Sequence, residues 1–282
     1  MTAHLMNRTG HRTSGTGDRI GTRTGLTAPG GRPRPDRPAL VLVAHGSRDP
    51  RALSTVRTLL DRVRELRPAL PVRLGHIELN EPLLPATLAA LGDTDAVLVP
   101  LLLSRGYHVK RDIPETAAAA PARTRVAAPL GPHPLLAEAL YDRLTEAGWR
   151  TPEDPAARRA SAVVLAAAGS RDPDARTDAG RTAALLAERL GVPVVPAYAS
   201  AAAPTVPAAV RALAARGRHR VAVASYFTAP GRFAAECAEA APWIAAAPLA
   251  AHPALPRLIL HRYDEALTAA AATTAPAALA PA

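Results

Sequence analysis

Short runs of branched apolar residues alternate along the chain with longer segments whose apolar positions recur at helical spacing. The short runs predict strands near 39–44, 72–78, 96–103 and 124–128, and the longer segments predict helices near 51–67, 82–91, 112–120 and 134–147. The succession then starts again, with strands near 161–167, 193–199, 219–226 and 244–248 and helices near 174–190, 205–216, 231–241 and 253–270. Strands alternating with helices imply parallel sheets with helices packed on both faces. Between the two series, "GWRTPEDPAARR" at 148–159 is polar and proline-bearing, and reads as a linker.

The second series repeats the first in residues as well as in pattern. "LVLVAHGSRDP" at 40–50 returns as "VVLAAAGSRDP" at 163–173, which sets Gly46 on Gly169. "ELNEPLLPATLAAL" from Glu78 aligns with "SAAAPTVPAAVRAL" from Ser200, and "VLVPLLLSRGYHV" aligns with "VAVASYFTAPGRFA", setting Gly106 on Gly231. "PLGPHPLLAEALYDRL" from Pro129 matches "PLAAHPALPRLILHRYDEAL" from Pro248. The chain therefore reads as a duplicated domain, 38–147 and 160–270, with a cleft expected between the copies.

In open parallel sheets, ligands bind outside the carboxyl ends of the strands. His45 directly follows the first strand, Glu78 ends the second, and His108 follows the third in "LLLSRGYHVKRDIP". Two imidazoles and a carboxylate can bind a divalent first-row metal and leave positions open. In the second copy the same positions hold Ala168, Ser200 and Phe233. Joint loss is expected of residues that act together in a site only one half needs, which makes the second half a structural partner. His76 lies on the same strand face as Glu78 and can assist. His133 and His252 match each other before a helix, as a shared structural role would require. Ser47 and Ser170, in the glycine-bearing turns, are expected to cap the helices that follow.

Composition narrows the partners. Of 282 residues, 48% are hydrophobic and 21% charged, which suits a packed soluble core, and no apolar run reaches the ~18 residues needed to span a bilayer. The N-terminal region lacks the apolar segment of a secretory signal, so a cytoplasmic location is expected. The net charge is +10, but residues 1–37 hold seven arginines against Asp18 and Asp36, half of that excess. This basic stretch and residues 271–282 are expected to be disordered tails. Aromatic residues at 3% leave few stacking platforms, which argues against a nucleic-acid partner. The single Cys237 excludes an intrachain disulfide and any multi-cysteine metal site, and its helical surroundings suit a buried structural thiol.

"VAHGSRDP", "IELNEP" and "GYHVKRDIP", in this order and spacing, resemble the class II chelatases that insert a metal into sirohydrochlorin, and the duplication is similar to the fused members of that family. The resemblance covers about residues 39–265. It implies an α/β fold of two tandem flavodoxin-like (chelatase-like) domains with parallel sheets, related by a pseudo-twofold axis. It also implies that His45 and His108 are the catalytic, metal-handling histidines and Glu78 the accompanying carboxylate. The metal, Fe2+ toward siroheme or Co2+ toward cobalamin, is then a substrate, and no organic cofactor is called for. The tetrapyrrole carries many carboxylates, so Arg48, Arg51, Arg105, Lys110 and Arg111 in the same loops are candidate substrate-binding groups. Asn80 and His76 depart from the family's usual apolar residues. No Gly-rich Lys-Ser/Thr nucleotide loop is present, as energy-independent insertion would predict. The fused halves are compatible with a monomer, and no membrane partner is expected. Two other readings stand beside this one: a non-catalytic metal or tetrapyrrole carrier, and phosphoryl transfer through a phosphohistidine at "AHGSR". The second lacks the arginine expected directly before the histidine, where Ala44 stands.

Overall fold

A computed structural model of the chain describes residues 37–274. The stretches expected to be disordered lie almost wholly outside those residues. At the C-terminal end, the last helix continues to Thr274, past the boundary expected at 270.

The first half contains β1 (Ala39–Ala44), α1 (Pro50–Leu66), β2 (Val72–His76), α2 (Leu84–Ala89), β3 (Ala96–Pro100), α3 (Ile113–Ala118), β4 (Thr124–Val126) and α4 (Pro134–Glu146). The second contains β5 (Ser161–Ala167), α6 (Pro173–Leu190), β6 (Val194–Tyr198), α7 (Val206–Ala214), β7 (Arg220–Tyr226), α8 (Arg232–Glu239), β8 (Ile244–Ala245) and α9 (Ala254–Thr274). The expected linker is not all loop. Trp149 at its start is buried, and Asp154 caps a short helix, α5 (Pro155–Ala160), by accepting from the Ala156 and Ala157 amides.

The sheets are parallel throughout and share one strand order, β2-β1-β3-β4 and β6-β5-β7-β8, the doubly wound order of flavodoxin-like folds. The central strands β1 and β5 are buried along their whole length, which is why they read as unbroken apolar runs.

The outer face of each sheet is closed by its own helices, α2 and α3 in the first half, α7 and α8 in the second. The inner faces are closed differently. α9 packs on α1 and β3 of the first half, whereas α4 packs on α6 and β7 of the second, and the two exchanged helices touch each other. Leu40, Leu42, Val97 and Val99 from one sheet thus share a single core with Leu136, Leu140 and Leu144 of α4, Val163 and Leu165 of the other sheet, and Leu255, Leu258 and Ile259 of α9. Polar contacts follow the same exchange. Arg67 pairs bidentately with Asp264 at 2.7 and 2.8 Å, and the Tyr263 hydroxyl donates to the Pro38 carbonyl at 2.6 Å. Strand patterning divides the chain into two sheets, each with its own outer core, but their inner faces share a single one.

Candidate metal-handling site

The turn after β1 carries the first candidate. Gly46 has φ +105°, and a Cβ there would drive into the Glu78 carbonyl, so only glycine lets the turn lie against the end of β2. The Glu78 amide donates to the His45 carbonyl at 3.0 Å, which sets His45 and Glu78 side by side. In the second half Gly169, at φ +93°, lies as closely on the Ser200 carbonyl, and the Ser200 amide donates to Ala168 at 3.0 Å. These matched bonds establish Ala168 and Ser200 as the structural counterparts of His45 and Glu78. The helix caps, however, are not the serines. Asp49 and Asp172 accept the amides of Arg51 and Asp174 at 2.9 Å, while Ser47 and Ser170 accept the aspartate amides at 3.1 Å and shape the turn before the cap.

Asn80 has a role that the sequence did not disclose. Its Oδ1 accepts the Ser47 amide at 2.7 Å and fastens the His45 turn to the Glu78 loop. Ala202, its counterpart, has no side chain able to do so.

His108 begins one turn of π-helix, His108–Asp112, which runs into α3. Its counterpart Phe233 lies in the ordinary α-helix α8. Such π-turns concentrate at functional sites, because the extra residue re-aims one side chain. Here it brings Asp112 Oδ2 to 2.5 Å from His108 Nδ1. A carboxylate on Nδ1–H fixes the tautomer and leaves Nε2 as the free ring nitrogen, the usual support of a ligating histidine. Asp112 was not among the residues singled out from the sequence; the His-x-x-x-Asp spacing, one helical turn, was the available signal.

The candidate residues meet at His45. Its Nδ1 lies 3.4 Å from Glu78 Oε1, and its ring stands edge-on to His108 with centroids 4.7 Å apart. Among the described residues, no group of three or more His, Cys, Asp or Glu side chains forms a preassembled metal cage. The arrangement is open: the His45 and Glu78 side chains are 43% and 52% exposed. Burial, and next the nearby His108, push the His45 imidazole below its ordinary pKa of 6.5, with Glu78 opposing. Neutral imidazole, the ligating form, is thereby favoured near neutral pH.

His45 stands on the wall of a cleft of about 840 Å³ between the halves. The first half contributes Arg48, Arg51, Val56, His76 and Leu79; the second contributes the apolar Ala168, Phe227, Pro230 and Phe233 together with Thr228 and Arg232. Glu78 and His108 flank His45 just outside this wall. His76 is 1% exposed, and its Nδ1 hydrogen-bonds the Pro82 carbonyl at 3.2 Å. Burial holds its pKa below the usual value.

The five basic candidates separate. Arg48 is exposed at the mouth of the cleft with no ion-pair partner among the described residues. Arg51 is paired with its neighbour Asp49 at 2.7 Å, and exposed Arg111 lies 3.8 Å from Glu115. Arg105 and Lys110 face the second half instead of the cleft: Arg105 forks onto Asp178, and Lys110 lies between Asp172 and Asp174 at 2.7 and 2.9 Å. A guanidinium already bidentate to a buried carboxylate is a poor candidate for a substrate carboxylate. Cys237, the counterpart of Asp112, is buried, and burial raises its thiol pKa to about 11, as a structural residue requires.

The paired sheets define an α/β protein of the chelatase fold. The solved structure of SirB from Bacillus subtilis with Fe3+ superposes with a TM-score of 0.67 at 24% identity, covering 83% of this chain and 98% of that one. Within that class the chain belongs to the CbiX family, whose profile matches residues 39–147 and again 162–266. A sirohydrochlorin cobaltochelatase of Methanococcus aeolicus is 39% identical over 80 residues, 27% of this chain and 56% of that protein. The sirohydrochlorin ferrochelatase of Bacillus subtilis is 32% identical over 176 residues, 59% of this chain and 64% of its own length. The matched stretches thus span less than two thirds of these two relatives.

Proposed function

We propose that this protein is a sirohydrochlorin chelatase, which inserts Fe2+ or Co2+ into the tetrapyrrole without a nucleotide. The observation that carries the reading is the convergence of His45, Glu78 and His108 at the inter-half cleft, in the one half that retains them. The CbiX membership and the relatives named for iron and cobalt insertion support the same substrate class.

Insertion forms metal–nitrogen bonds while two pyrrole N–H protons leave. A metal delivered as substrate has to be held and then released, and an open set of three donors suits that better than a closed cage. Neutral His45 and the free Nε2 of His108 serve as ligands, with Glu78 adding the charge that a dication attracts. Once the metal moves to the ring, the freed imidazoles and carboxylate are placed to accept the displaced protons. The macrocycle's flat face lies against Phe227, Pro230 and Phe233, and Arg48 meets a peripheral carboxylate.

The test is incubation with sirohydrochlorin and each divalent metal in turn, following the absorbance change. Product in excess of enzyme is expected. Product no greater than the enzyme concentration would instead identify a carrier.

A further inference from the structure

The half that has lost its donors holds the loop that presents His108. Three successive attachments join residues 103–110 to the second half. The Tyr226 hydroxyl donates to the Leu103 carbonyl at 2.8 Å. Asp178, with 0% exposure on α6, accepts from the Arg105 amide at 2.9 Å and from its Nε and Nη2 at 3.0 and 2.7 Å. Lys110 then reaches Asp172 and Asp174 at the start of α6. His108 lies between the last two attachments.

The repeat provides an internal control. The positions equivalent to Asp178, Asp174, Tyr226, Arg105 and Lys110 are Thr55, Arg51, Leu101, Pro230 and Ala235, none of which can make the corresponding ion pair. On that side, between α1 and the loop entering α8, the cleft stands open. One of two equivalent loops is therefore fastened, and it is the one with the histidine. A burial cost attends a wholly buried carboxylate, and three donors from a single partner offset it.

We propose that Asp178, through Arg105, is a positioning residue that sets the His108 imidazole against His45, with Lys110 and its two aspartates steadying the far end of the loop. The proposal rests on the chelatase reading for its consequence, but the clamp itself is tested without turnover. The His108 imidazole resonances, assigned by their loss in His108→Ala, should be single and sharp in the parent and broadened or split in Asp178→Asn. Co2+ affinity should fall about tenfold in Asp178→Asn, the size of effect seen when the support of a ligating histidine is removed. In a His108→Ala background, the same change should lower Co2+ affinity no further. Unchanged His108 resonances, or an equal loss of affinity in both backgrounds, overturns the proposal. If Asp178→Asn does not fold, Arg105→Lys keeps the charge and the backbone bond while removing the fork, and the same criteria apply to it. Failure of the parent to metallate sirohydrochlorin would remove the chelatase reading and leave the resonance test intact.

Discussion

His45 and Ala168 occupy the same turn, against the same carbonyl, with the same hydrogen bond beside them. The backbone at this place therefore does not depend on the imidazole, and the histidine is free to serve chemistry. His45→Ala or His108→Ala should lower metal insertion by about 100-fold or more, while stability changes by only about 1 kcal/mol or less, because both side chains are part-exposed. Steady-state insertion assays beside urea unfolding check this, and loss of folding in both variants would remove the site assignment. Restoring Ala168→His in a His45→Ala background should recover nothing. Ser200 and Phe233 supply no carboxylate or second imidazole there, and Cys237 replaces the supporting Asp112. Recovered insertion in that double variant would reveal a latent second site.

The N-termini of α4 and α9 show how a paired residue in the repeat becomes a paired contact. His133 Nδ1 accepts the Leu135 amide at 3.1 Å, and His252 Nδ1 accepts the Ala254 amide at 3.2 Å. Burial is the main cause depressing both pKa values below 6.5, with Arg262 adding at His133 and Arg143 at His252. A neutral ring accepts, whereas a protonated one cannot. The stabilisation is complete above the unfolded pKa of 6.5 and is lost as the pH falls from there through the lower folded values. The urea midpoint should therefore drop as the pH falls below about 6.5. His252→Asn, whose amide oxygen accepts at any pH, should lessen that drop, the cap being worth about 1 kcal/mol. An undiminished drop would show that the cap is not its source. The shared role was legible before the structure, because both histidines stood before a proline-started helix. The central strands β1 and β5 were equally legible, since burial on both faces writes itself as unbroken apolar runs. The tie from Asn80 to Ser47 and the pairing of Arg105 with Asp178 were not, because each joins residues far apart in sequence. Local spacing cannot reveal which face a loop arginine will meet. The exchange of α4 and α9 was hidden for a related reason: an amphipathic stripe shows that a face is buried, never against which sheet.

That exchange makes the chain one cooperative body, although its sequence is written twice. Leu140 of α4 is 1% exposed in the shared core, and Leu140→Ala should cost about 3 kcal/mol. The loss should appear as one shifted unfolding transition, seen alike by probes in either half; two separated transitions would show that the sheets melt independently. The same arrangement bears on what the second copy is for. It carries Ala168, Ser200 and Phe233 where the first copy carries the three proposed donors. The fold needs it nonetheless. A gene shortened to end near residue 150 would produce a first sheet missing α9, together with an α4 whose apolar face has no sheet to cover. Such a fragment recovers a covered core only by lending α4 to a second fragment and borrowing that fragment's α4 in return. Sedimentation of residues 37–150 should accordingly find a dimer or an aggregate, and a folded monomer would refute the dependence. A half with no donor of its own is thus kept as the wall without which the other half has no closed core.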